Sequence, residues 1–305
     1  MTIRAFEAIR FCHSNPMPSS VRSYFFDAEK GTWTSGPPPL ESASTRISKF
    51  GDGIFESCLY ADAKILGLIL HVDRLQSGLD LLGLETPLGN AQKIMDSVQG
   101  LIEQTPSPNS VRIRLQISRL GEGAYTPTSR KSILTVDFQD LDAFPWQHPA
   151  TSKGLETVLH PTLRTSYGPL SAIKSSSSLL YVLAAQHAQQ SRVDECILLS
   201  QDSGLSEASG SNLFLRHAAT LITPNLNSGC LPGTMRMRVI QAAQKMGIDI
   251  QERHINPQEL HAAEEVFLTN AIHGIRPISF HSGISYPTKE RILSQALFSM
   301  LMTAY

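Results

Sequence analysis

Apolar and polar positions alternate through VRIRLQISR, residues 111–119, so that Arg112, Arg114, Gln116 and Ser118 share one face of a predicted strand. IRAFEAIRF (3–11) and VRSYFFD (21–27) also read as strands, separated by the turn-forming His13-Ser14-Asn15-Pro16. IFESCLYAD (54–62) and KILGLIL (64–70) form a predicted hairpin turning at Asp62-Ala63. The period then lengthens: in HVDRLQSGLDLLGL (71–84), Val72, Leu75, Leu79 and Leu82 fall on one side of a helix. Residues 91–104 predict another helix, and ILTVDF (133–138) resumes the strand pattern.

The second half alternates strand and helix. ETVLH, CILLS, NLFLRH and TLITP are short apolar runs of strand length. Between the first two, Leu179, Leu180, Leu183 and Ala184 recur at helical spacing. A helix opening at Pro232-Gly233 turns Val239, Ala242, Ala243 and Met246 inward. IDIQERHI, a helix begun by Pro257, EVFLTNAIHGIRPISF and a last helix running to Tyr305 complete the chain. Hairpins mixed with helices predict an α+β or mixed α/β fold rather than a plain doubly wound sheet. A two-domain division at 1–125 and 126–305 suits the chain's 305 residues.

Composition narrows the class. At 41% hydrophobic and 17% charged the chain is globular, and a net charge of −1 without a Lys/Arg-dense stripe excludes an electrostatic nucleic-acid footprint. Four cysteines without CxxC spacing suggest neither a zinc site nor a disulfide framework; Cys58 and Cys196 read as reduced core residues. No apolar run reaches membrane-spanning length and no signal-peptide pattern opens the chain, so a cytoplasmic protein with no membrane partner is the expectation.

Four features bear on chemistry. Lys174 sits beside a serine run, and a lysine amine becomes a nucleophile where burial or a nearby cation lowers its pKa. Glu207 lies among small hydroxyl residues in SEASGSNLF. In CLPGTMR, the amides at 233–235 offer an anion site at a helix start. Arg74 follows one turn into its helix. Together these supply an amine for a Schiff base, a carboxylate for a pyridine nitrogen, and amides plus an arginine for a phosphate: the needs of a pyridoxal phosphate site.

FGDGIFES, HVDRL, AIKSSSSLLYVLA, EASGSNLF, GCLPGTMR and EVFLTNAIHGIRPI resemble, in order, the successive blocks of the class IV (fold-type IV) aminotransferases. That resemblance implies a two-domain, D-amino-acid-aminotransferase-like fold with pyridoxal 5′-phosphate in the cleft, and a homodimer. It makes Lys174 the Schiff-base lysine and Glu207 the partner of the pyridine nitrogen. Arg74, Gly233, Thr234 and Met235 fall at the phosphate, and Asn270 also lies in the cofactor site. For a small amino-acid-like substrate, Glu56, Arg112, Arg114 and Arg119 are the candidates. Leu179 in place of a tyrosine, the GTMR form of the phosphate helix and the TNAIHGI block are similar to 4-amino-4-deoxychorismate lyases. Elimination to 4-aminobenzoate and pyruvate is therefore the expected reaction. Glu56 and Ala124 point instead to transamination of branched-chain or D-amino acids.

Overall fold

The computed structural model describes residues 21–38, 45–105 and 110–303; the expected strand at 3–11 and part of the 34–44 loop lie outside them. A first sheet runs in the order β2-β1-β6-β5-β3-β4. Its strands are β1 (Val21–Asp27), β2 (Thr32–Ser35), β3 (Gly53–Ala61), β4 (Lys64–Ile65), β5 (Ser110–Arg119) and β6 (Ser132–Leu141). Three helices accompany it: α1 (Thr45–Phe50), α2 (Leu68–Leu82) and α3 (Ala91–Glu103). Ile113, Leu115 and Ile117 of β5 are fully buried, in one cluster with Val72, Leu75 and Leu79 of α2 and Ile94 and Val98 of α3. The alternation of β5 thus turns Arg112 and Arg114 away from the helices.

Two expectations change here. Asp62 and Ala63 do make the hairpin turn, both with positive φ, but β4 lasts only two residues. Gly67, at φ 68°, ends the strand, and the apolar LIL that follows is the first turn of α2. A three-residue apolar run satisfies either period, and the left-handed glycine decides between them. The division expected at 125/126 falls inside the first sheet, because β6 pairs with β5 from Ser110↔Leu141 to Arg119↔Ser132. The change of sheet comes after Leu141.

The second sheet contains β7 (Leu155–Thr165), β8 (Glu195–Ser200), β9 (Leu205–Ala208), β10 (Ser211–His217), β11 (Thr220–Pro224), β12 (Ile250–Arg253), β13 (Glu265–Asn270), β14 (Gly274–His281) and β15 (Ile284–Ser285). Its order is β12-β11-β10-β13-β14-β7-β8-β9, and β9 pairs back onto β10, closing six strands into a ring. Its helices are α4 (Leu179–Gln190), α5 (Thr234–Lys245), α6 (Glu259–Ala262) and α7 (Ile292–Thr303). α5 and α7 bury Met235, Val239 and Leu297 with Phe214 and Phe267, whose rings stack 5.1 Å apart. Leu59 of β3 and Leu66, just after β4, join the same cluster, which ties the two sheets together. Each such side chain contributes ~1.5–3 kcal/mol by leaving water.

Helix α4 departs from its expected face. Ala184 and Ala188 pack on Cys196 and Leu198, while Leu179, Val182 and Leu183 are exposed. Met246 is likewise exposed, since α5 ends at Lys245. Cys58 and Cys196 are buried and unbridged. Among the described residues no helix is long and apolar enough to cross a membrane.

Candidate active site

Lys174 lies not on a helix but in the extended segment before α4. That segment adds to the edge of β3: the Phe55 N–H donates to the Lys174 carbonyl (2.9 Å) and the Ser176 N–H to the Gly53 carbonyl (2.9 Å). The lysine is thereby pinned where the first sheet meets the second. Its Nζ stands 4.5 Å from the centroid of the Phe55 ring. Burial, and then the nearby Arg74 cation, push its pKa down to about 8.

The amine opens into a cavity of about 520 Å³ bounded by both sheets, the 165–178 segment and the start of α5. Glu207 faces it from β9. Its Oε1 accepts from the Tyr181 hydroxyl (2.7 Å) and its Oε2 from the Leu231 N–H (3.0 Å). Burial raises this carboxyl to about 7, against the pull of Tyr181, Leu231 and Lys174. Closure of the ring of strands brings it here, since Glu207 pairs with Asn212 between β9 and β10.

The start of α5 forms another wall. Gly233 occupies the N-cap without a side-chain cap, so the first amides of the helix point outward unbonded. A Cβ at Gly233 would fall 1.9 Å from Asn212 Oδ1, so only glycine admits this approach. Thr234 and Met235 line the cavity beside it. Thr269 adds a buried hydroxyl that has no hydrogen-bond partner among the described residues, lining the same cavity. Uncapped amides, an orphaned buried hydroxyl and an arginine are what a phosphate dianion requires. The residues present therefore fit pyridoxal phosphate, with Arg74, Thr269 and the amides of Thr234 and Met235 able to hold its phosphate; the Gly233 N–H donates to the Leu231 carbonyl (2.8 Å).

Arg74 is not free for that anion alone. Its Nε and Nη2 grip both oxygens of Glu56 at 2.8 and 2.7 Å, and Nη1 donates to the Pro232 carbonyl (3.1 Å). His71, one turn earlier on α2, meets Glu56 Oε2 through Nδ1 (2.7 Å) and Thr234 Oγ1 through Nε2 (3.4 Å). Burial would raise the Glu56 carboxyl, but Arg74 and His71 override it and hold the group below the usual carboxylate range. Three of the five guanidinium N–H groups are spent, and two remain for a ligand. Glu56→Ala is expected to destabilise the protein by about 3–5 kcal/mol, because the buried Arg74 charge would lose its partner. Urea denaturation measures this; a change under ~1 kcal/mol would show that the pair is solvated.

Of the substrate candidates, Arg112 and Arg114 line the cavity. Glu56 and Arg119 do not. Glu56 points under α2 and is 1% exposed, held as above. Arg119 turns to Asp52 (3.0 Å) and to the carbonyls of Ser129 (3.3 Å) and Leu82 (2.5 Å). Asn270 lines the cavity as well, and its Oδ1 accepts from the N–H groups of Ile272 (3.1 Å) and His273 (2.8 Å). Sequence reasoning missed His71, Tyr181 and Thr269. The i, i+3 spacing of His71 and Arg74 was the available signal for the first. Tyr181 also removes the force of Leu179 as a marker, because the tyrosine absent at 179 is present at the Glu207 carboxylate.

The family model described as Amino-transferase class IV matches residues 53–280. The branched-chain-amino-acid aminotransferase of Escherichia coli K12 is 29% identical over 294 residues, covering 90% of this chain and 92% of that protein. An aminotransferase from Brucella abortus, solved bound to the cofactor PLP, superposes with a TM-score of 0.77 at 20% identity over 92% of this chain and 98% of its own. A Legionella pneumophila protein provisionally named a 4-amino-4-deoxychorismate lyase gives 0.73 at 23% identity, over 88% and 96%.

Proposed function

Because the chain belongs to the class IV aminotransferases, which depend on pyridoxal phosphate, we propose that it acts on an amino substrate carrying two carboxylates, converting 4-amino-4-deoxychorismate to 4-aminobenzoate and pyruvate. The observation that carries this reading is the pair Arg112 and Arg114 on the cavity face of β5. Arg112 makes no hydrogen bond or ion pair among the described residues, and its Nε is buried. An aliphatic side chain set against two guanidinium groups would strip them of water without replacing their hydrogen bonds. A second carboxylate neutralises them instead.

Bound pyridoxal phosphate supplies an electron sink for charge developing at the amine-bearing carbon. Lys174 takes the proton from that carbon, as its lowered pKa allows near neutrality. The neighbouring C–O bond then breaks, and the departing enolpyruvate gains a proton to become pyruvate while the ring becomes aromatic. Glu207 holds the cofactor's ring nitrogen in its protonated form, and Arg74 with the α5 amides holds the phosphate. A second reading, transamination of branched-chain or D-amino acids, is favoured by the identity to the Escherichia coli enzyme. A homodimer suits either reading. Leu179, Val182 and Leu183 form an exposed apolar stripe on α4 beside the cavity, of the kind a partner subunit covers.

The cofactor-loaded protein, given chorismate, an amide donor and the upstream synthase, is expected to release 4-aminobenzoate and pyruvate with no keto acid added. Amino transfer from glutamate to a branched-chain keto acid, with no 4-aminobenzoate formed, would replace elimination by transamination.

A further inference from the structure

The Phe55 ring meets two charged groups: the Lys174 amine, 4.5 Å from its centroid, and the Arg114 guanidinium, 4.1 Å from it. Arg114 is therefore the arginine near the reacting amine. Arg112 lies two residues further along β5, about 7 Å at the rise of a strand. Among the described residues it has no ion-pair partner. Glu195, the carboxylate at this end of the cavity, is taken by Arg276 (2.6 Å) and Ser209 (2.5 Å). On the strand beside Arg112, Asp137 accepts from Ser23 (2.6 Å) and Asp140 pairs with Arg22.

His273 faces this end from the turn between β13 and β14. Asn270 ties down that turn through the amides of Ile272 and His273, so the ring is carried on a fixed wall. The ring is exposed to the cavity, yet burial, then Arg276 and Arg112, push its pKa down to about 4 against the partial opposition of Glu195. At neutral pH it is an uncharged imidazole. It can donate one N–H without adding a third positive charge beside Arg112 and Arg276.

We propose that Arg112 and His273 form a carboxylate subsite joining the two sheets, which takes the second carboxylate of a dicarboxylic substrate while Arg114 meets the first. The subsite rests on the reading that this cavity holds the substrate, and it makes His273 a specificity-determining residue. An anion there would pair with Arg112 and accept the imidazole N–H.

Glutarate and butyrate test this as unreactive ligands differing by one carboxylate, titrated into the cofactor-loaded protein by calorimetry. The wild type is expected to bind glutarate at least about tenfold tighter, the effect of one charge-assisted hydrogen bond. Arg112→Gln and His273→Leu should each lower that ratio several-fold with cofactor content unchanged, and His273→Gln, which keeps a neutral donor, should restore much of it. Equal affinity for the two acids in the wild type, or an undiminished ratio in both variants, would overturn the subsite. Neither acid has an amine to eliminate or transfer, so the outcome is independent of which reaction the enzyme catalyses.

Discussion

Lys174→Ala is expected to lose covalent cofactor attachment and at least about 10⁴-fold of turnover, the upper range for removing a positioned acid–base group. The geometry explains the size of the effect. The backbone of residues 174–176 is bonded to β3, and among the described residues Lys174 is the one lysine lining the cavity. The electrostatics explain why this lysine is usable: with a pKa of about 8 instead of the ordinary 10.5, a substantial fraction is neutral near pH 7–8. Since the neutral amine is the nucleophile, attachment of added cofactor to the apoprotein should accelerate as pH rises and level off above about 8. An acceleration continuing toward 10.5 would mean that Lys174 is solvated. Absorbance of the attached cofactor follows both properties.

Glu207→Gln is the second large effect. Glutamine's oxygen can still accept from the Leu231 N–H and its amide can donate to the Tyr181 hydroxyl oxygen, so the fold and the cavity should persist. What is lost is a negative charge against the protonated ring nitrogen of the cofactor, and with it the electron sink. Turnover should fall about 10²–10³-fold, comparable to removing one preorganised electrostatic contact, while cofactor still binds. Cofactor content and turnover measured on the same sample check it; normal turnover would remove Glu207 from the chemistry.

Much of this arrangement was legible before the structure. The alternation of β5 is a local property: one face is buried and one is not, so Arg112 and Arg114 could be placed on a common face from residue types alone. Gly233 at a helix start and the order of the blocks around Lys174, Glu207 and Arg74 were readable in the same way. The partners of the charged groups were not. Arg74 and Arg119 each choose a carboxylate, Glu56 and Asp52, brought near by strand pairing between distant segments, and no spacing announces the choice. Glu56 accordingly read as a substrate residue although it anchors Arg74. The strand-or-helix ambiguity of residues 66–70 and the membership of β6 in the first sheet are failures of the same kind, settled by one left-handed glycine and by nonlocal register. The conformation at Lys174 was not legible either: an apolar helix begins five residues later, whereas the backbone at Lys174 is set by β3.

The cavity between the two sheets is expected to hold pyridoxal phosphate covalently on Lys174. Borohydride reduction of the cofactor-loaded protein, followed by proteolysis and mass mapping, tests it most directly. The fixed cofactor mass is expected on the peptide carrying Lys174 and on no other. Finding it on a different lysine, or finding the Lys174 peptide unmodified in a fully loaded sample, would contradict the account.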